Sequence, residues 1–353
     1  MTYVLLLIFC VLLALIVDRS KKDKKNIRYG IIIFSIIAFA LSLISAIRYN
    51  VGTDYNYTYV PTFNYIDQGA TRVRIDVGFY IINQIIIWLM LNVQWVFVVT
   101  SFIINILVCA SIYEQLEYRA LGIYIYICGT LYFFSMNGIR QTITMSIFYY
   151  SLIYIYQKRN KFKYFLFNAI GVTIHLSAAI FLPLYFFLHK RLSKKIYLIS
   201  ILLLIIIITP ITNLVGGYLL ETKYSMYLTN GAYTSLSTFN LSSILNLLCF
   251  LGYLFCSKKT PKNNIYLNIH FIGLIISLFL LSLPLVLRLF MSFRYIEFLS
   301  VPNLIQDLDI TKRKKILIII GVVIFYIIYM INGVYINNGN DVLPYRTIFE
   351  KGI

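Results

Sequence analysis

The sequence predicts an all-α polytopic membrane protein, and three observations predict it. Hydrophobic residues make up 60% of the 353 and charged residues only 12%, about half the charged share of a soluble domain. Apolar runs close to the ~20 residues that cross a bilayer recur along the whole chain. They are continuous rather than alternating, which suits helices and not barrel strands. Basic residues sit in short clusters between those runs: "RSKKDKKNIR", "QKRNKFK", "HKRLSKK", "CSKKTPKN" and "TKRKK". That is the positive-inside pattern. It accounts for the net charge of +18 without a nucleic-acid partner. Residues 1–353 read as a single integral membrane domain.

The clusters mark cytoplasmic points, and the elements follow by parity. Residues 2–17 cross inward, so the N-terminus is outside. This run lacks a basic n-region and an A-x-A-like cleavage site, so it reads as a retained span. Residues 29–47 cross outward and leave an external loop, 48–78. Residues 79–91 are short for a crossing and read as a partial or interfacial helix. Residues 94–113 cross inward and 120–136 outward, "NGIRQT" (137–142) is external, and 143–157 return. The segment 164–188 has basic clusters on both flanks, and it is too short to cross twice at 1.5 Å per residue. It reads as a broken, re-entrant pair with His175 near its tip.

Residues 196–215 then go out to a second external loop, 216–240. Residues 241–256 go in and 265–287 go out. "RLFMSFR" is an external turn, 290–308 return, and 316–335 leave the C-terminus outside. This makes about 11–12 membrane-crossing helices if the broken pair counts as two. The sequence carries no internal repeat, no low-complexity segment and no soluble domain. Cys10, Cys109, Cys128, Cys249 and Cys256 lie in or at the ends of apolar runs, with no CxxC spacing. Neither a disulfide framework nor a zinc site is indicated, and no metal or cofactor is expected.

Outside the basic clusters the ionisable residues are Arg48, Asp54, Asp67, Arg72, Arg74, Asp76, Arg140, His175, Glu221, Arg288, Arg294, Glu297 and Arg346. Charges in or near spans are costly, so they face a cavity or a partner and are functional candidates. Arg48, Arg140, Arg288 and Arg294 come from external ends of different spans. The guanidinium fork suits phosphate, and several converging on one cavity would suit a pyrophosphate at the outer leaflet. Snorkelling to headgroups is the plainer alternative.

In "VGTDYNY" Gly52 permits a turn that aims Asp54. Asp54 is a candidate general base or partner of Arg48. If it only forms an Asx-type turn, the base role passes to His175 or Asp76. Asp76 itself fits the N-cap of the next helix. A lone histidine is more often a core residue, but the helix break at His175 favours a role there. His189 reads as a cytoplasmic flank residue and His270 as a span residue. The aromatic run "YNYTYVPTFNY" suits the apolar faces of sugar rings, or simple packing on the membrane.

In order along the chain, "IRYNVGTDYNYTY", "NGIRQTITMSI", "IHLSAAIFLPLYF", "RLFMSFRYIEFLSVPNLI" and "DVLPYRTIF" resemble the EpsG family, which groups with the Wzy-type polysaccharide polymerases. The resemblance covers nearly the whole chain. It implies a membrane-embedded glycosyltransferase similar to the GT-C class. Such an enzyme joins undecaprenyl-pyrophosphate-linked oligosaccharides into capsular or exopolysaccharide on the outer face of the bacterial plasma membrane. It also implies membrane lipids, a flippase and a chain-length regulator as candidate partners. Carried over by position, Asp54, His175 and Arg140 are the catalytic candidates. Arg48, Gly52, Tyr55, Gln141, Arg288, Arg294 and Tyr295 are the substrate-binding ones, and Ser177 accompanies His175. The family often has a glutamate near the position of Asp76.

Two other functions compete with polymerisation. A lipid-oligosaccharide flippase would place charges deep in several spans and show a repeat. A membrane acyltransferase would place its histidine or acid where the acyl donor arrives.

Overall fold

The computed structural model describes residues 1–20, 24–70, 73, 75–220, 241–279 and 286–350. Arg72, Arg74, Glu221 and almost all of the expected loop 216–240 lie outside that set. Among the described residues every regular element is helical, and β-pairing is confined to one isolated bridge between Arg48 and Thr347. The chain forms two compact units, Met1–Leu182 with Val301–Ile353, and Pro183–Ser300.

In the first unit α1 (Thr2–Arg19), α2 (Lys24–Ala46) and α5 (Gln94–Gln115) are long and apolar enough to cross a bilayer. So is Lys312–Ile336, which is α17 (Lys312–Met330) continued by a π-helical end. A further crossing is broken: α6 (Arg119–Cys128) and α7 (Leu131–Asn137) meet at 49°. The break lies at Thr130, whose φ of 72° is left-handed. Their surfaces suit lipid. On α1, Ile8, Leu12 and Ile16 face outward while Cys10, Ala14 and Val17 face the bundle. α2 and α5 approach through small residues, with Ser101 donating to Ser45 across 2.9 Å, as membrane helix pairs commonly do.

The expected loop 48–78 is largely ordered helix. Tyr55–Tyr59 forms a π-helical turn that runs into α3 (Val60–Asp67), and α4 (Val77–Trp88) follows. Composition hid this, because a polar, aromatic stretch with Gly52 and Pro61 reads as loop. After α8 (Ile139–Ser151) and α9 (Ile153–Tyr156), α10 (Lys161–Ile174) ends at His175. The chain turns there through a 3₁₀ segment, Leu176–Ile180, into α11 (Phe181–Leu184). It folds back on α10: the Tyr164 hydroxyl donates to the carbonyl of Phe181 at 2.6 Å. A Cβ on Gly171 would meet that of Ala178 at 3.6 Å. His175 therefore sits at the tip of a hairpin.

The first unit has two chemically distinct ends. At one, Tyr113 donates to the carbonyl of Ile27, Asp18 caps the first N–H groups of α6, and Lys158 pairs with Glu114. This end carries Arg19, Arg28 and the basic stretch 157–163. At the other, the N-terminus, the end of α2, the start of α8 and the C-terminal tail gather. Tyr3 donates to the carbonyl of Val342, and Tyr49 N–H to that of Arg346.

In the second unit, α12 (Lys194–Leu220) precedes α13 (Leu241–Cys256) and α14 (Pro261–Phe279). The segment "RLFMSFR", expected as a turn, is part of a helix, α15 (Leu287–Arg294). α16 (Glu297–Asp307) begins at Glu297. The turn reading fails because both arginines belong to this one helix, Arg288 exposed and Arg294 buried.

Candidate functional site

Three residues from separate segments meet at the non-basic end of the first unit. Arg140 is the second residue of α8, Asp76 precedes α4, and His175 is the hairpin tip. Arg140 Nη1 lies 3.1 Å from Asp76 Oδ2, and His175 Nδ1 lies 3.3 Å from the same oxygen. The other carboxylate oxygen accepts the Leu176 N–H at 3.3 Å. Asp76 occupies the N-cap position of α4 with extended backbone, but its side chain makes no cap bond there. The carboxylate is spent across space rather than along the chain. All three side chains are about a quarter exposed, at 24%, 23% and 27% for Asp76, Arg140 and His175, so the cluster is held yet open. The Arg140 guanidinium also lies 5.9 Å from the Phe79 ring.

A glycine makes this meeting geometrically feasible. A Cβ on Gly78 would lie 2.6 Å from Thr173 Oγ1 and 2.9 Å from the Thr173 carbonyl. Only glycine lets α4 start this close to the end of α10.

The "GTDYNY" motif builds the adjoining wall. Asp54 N–H donates to Asn137 Oδ1 at 2.8 Å. The Tyr59 hydroxyl donates to the Asn137 carbonyl and accepts from the Ile139 N–H, each at 2.9 Å. Burial pushes the Tyr59 phenol up to about 12, so it stays a neutral donor. Together these bonds fix the turn from which Arg140 projects. Gly52 has φ of +94°, and its N–H donates to the Asp341 carbonyl at 2.7 Å. A Cβ there would press the Met136 carbonyl at 3.0 Å.

The remaining expected residues occupy other surroundings. Arg48 is fully buried. Its Nη1 donates to the Ser45 carbonyl and hydroxyl, its Nη2 donates to the Met136 carbonyl at 3.1 Å, and its guanidinium lies 4.6 Å over Phe97. Burial pulls it down to about 10, with surrounding tyrosines opposing, so it remains charged at neutral pH. Tyr55, expected to stack on a sugar, stacks on Phe97 at 4.5 Å and is buried, and Gln141 is buried in α8. Asp54 accepts from the Thr58 hydroxyl at 3.4 Å, a contact within its own motif. Arg288, exposed, and the buried Arg294 and Tyr295 belong to the second unit. There Arg294 Nε lies 3.4 Å from Glu297 Oε1.

Composition gave no sign of a second polar centre in that unit. Asn246 Nδ2 donates to the His270 carbonyl, so its Oδ1, 2.8 Å from His270 Nδ1, is an acceptor. That makes Nδ1 the protonated nitrogen and leaves Nε2 to accept from the Ser300 hydroxyl at 2.8 Å. The cluster is wholly buried and ties α13, α14 and α16 together. Buried polar groups matched this fully rigidify a core.

A family model for EpsG matches residues 31–347. The chain belongs to the EpsG family. The match takes in the Arg48–Tyr59 motif, Asp76, Arg140, His175 and the tail of this EpsG protein, and the family's members are Wzy-type polymerase-like. No curated protein and no solved structure matches the chain. Asp76, which the sequence offers as an N-cap, stands at that position but turns its carboxylate to Arg140 and His175 instead. The carboxylate in "RIDVG", near a position where the resembled family often has a glutamate, was the available signal.

Proposed function

We propose that this protein is a glycosyltransferase that polymerises lipid-linked oligosaccharides, with Asp76, Arg140 and His175 as its reaction centre. The observation that carries the reading is their meeting: an acid, a guanidinium and an imidazole from three segments, open at one end of an apolar bundle. One lipid-linked chain is the donor, and a terminal hydroxyl of another unit is the acceptor. The acceptor oxygen bonds to the anomeric carbon of the donor as the bond to its pyrophosphate breaks. The acceptor proton passes to the Asp76–His175 pair, and Arg140 stabilises charge building on the departing pyrophosphate. This order of events gives the Asp76–His175 pair the general-base role that the sequence offers first to Asp54 and otherwise to His175 or Asp76.

The finer assignments follow from family membership and charge pattern. The lipid is undecaprenyl, the product is a capsular or exopolysaccharide, and the cluster's end of the bundle is the outer face of the bacterial plasma membrane. Both termini lie on that face, about 11–12 helices cross, and the architecture is of the GT-C kind. Arg288, exposed on α15, is assigned to binding of the lipid-linked substrate in the second unit. A flippase and a chain-length regulator would act beside it.

The test is reconstitution of the purified protein with one lipid-linked repeat unit. A ladder of lengthening products supports the reading. Movement of the unit across the bilayer without a ladder would make the protein a flippase instead.

A further inference from the structure

α4 has an unusual path. Its twelve residues rise only ~18 Å, against a hydrocarbon core of about 30 Å. Both of its ends are tied to the same end of the first unit. At its start, Asp76 contacts Arg140, four residues beyond Met136, whose carbonyl accepts from Arg48 Nη2. Just past its end, Gln94 Nε2 donates to the carbonyls of Ala46 and Arg48. Both flanks of the helix are thus held at one end of the unit, and the helix itself is too short to cross.

Its two faces differ. Phe79, Asn83 and Ile86 are buried. Val77, Ile81, Ile85 and Trp88 form a stripe at helical spacing, and all are exposed, Val77 at 68% and Trp88 at 80%. Leu89 and Met90 extend it, also exposed. From residue 77 to residue 93 there is no charged side chain. The stripe adjoins, through the Gly78–Thr173 approach, the outward apolar side of α10, where Leu166 and Ile170 are exposed.

We infer that α4 lies in the boundary layer of the bilayer, its apolar stripe among the upper acyl chains, and so sets the depth of Asp76. The occupant of the stripe is lipid. A helix with one apolar stripe, no charge on it and a tryptophan at one end is built for that layer. Six side chains of one short helix fall well short of the roughly 20–30 residues a side, about 800 Å² from each partner, that a stable protein interface uses. The same depth brings the cluster to the level of phosphate-bearing headgroups. Only that last clause rests on the polymerase reading, because the depth of α4 can be measured whether or not polymer forms.

The experiment places single nitroxide labels at Val77, Ile81, Ile85 and Trp88, in a background without native cysteines, in nanodiscs. Collision with oxygen and with a water-soluble nickel chelate is then compared. The expected result is oxygen-dominated collision at nearly equal depth for all four. Depth changing steadily by about 1.5 Å per residue would overturn the inference, because α4 would then plunge into the core. Chelate-dominated collision, or exclusion of both reagents, would also overturn it, the first assigning the stripe to water and the second to protein. A parallel measurement leaves the stripe native. With Trp95→Phe, the fluorescence of Trp88 should be quenched more by lipids brominated near the headgroup than by lipids brominated at the chain ends. The reverse order contradicts the placement.

Discussion

Gly78 and Thr173 approach so closely that a methyl group at position 78 would sit 2.9 Å from the Thr173 carbonyl atoms. This contact joins the helix that carries Asp76 to the helix that ends in His175. It turns two distant stretches of sequence into one site.

Gly78→Ala should therefore insert and fold but separate Asp76 from His175. A displacement of about 1 Å at a reaction centre costs on the order of 10²-fold. Polymer yield at equal protein level measures it. Unchanged yield would mean that the Asp76–His175 contact does not matter to the reaction.

Arg140→Lys keeps the charge near Asp76 but not the planar fork. The expected loss is about 10²–10³-fold in product formation, in the range for removing one preorganised donor, with normal insertion. Wild-type yield would make Arg140 an ordinary headgroup-contacting residue.

Arg48 should behave differently. Its fork joins Ser45 to Met136 and is buried, and a lysine cannot span both. Arg48→Lys leaves buried acceptors unmatched at a cost of about 1–3 kcal/mol, read as a lower melting temperature in detergent. Normal stability with lost polymer would assign Arg48 to the substrate, as its place in the sequence motif first indicated.

Much of the architecture was legible in the chain because lipid imposes strong constraints. Continuous apolar runs marked α1, α2, α5 and α17, and a short run between basic flanks marked the break at His175. The helical content of "YNYTYVPTFNY" was not legible, since a polar, aromatic stretch just past an apolar run reads as an external loop. The partner of Asp76 was hidden for a different reason. An N-cap explanation is local and satisfies a sequence reader, whereas the contact to Arg140 spans 64 positions. Arg48 likewise carries the fork of a phosphate ligand, and only its burial assigns the donors to carbonyls of the protein.

Two-ended charge in the first unit makes a topological prediction. Cysteines placed singly at Tyr57 and Asn337, both exposed, should label in intact cells with an impermeant thiol reagent, while one at Lys161 should label only after lysis. Labelling of Lys161 alone in intact cells would invert the orientation.

The most direct measurement compares the wild-type protein, Asp76→Asn and Asp54→Asn in nanodiscs with one lipid-linked repeat unit. Asparagine keeps the shape and loses the proton acceptor, a change worth about 10²–10⁴-fold where a carboxylate serves general-base chemistry. The account predicts a product ladder from the wild-type protein and from Asp54→Asn, and unextended substrate from Asp76→Asn. A full ladder from Asp76→Asn, or its loss in Asp54→Asn alone, would contradict it.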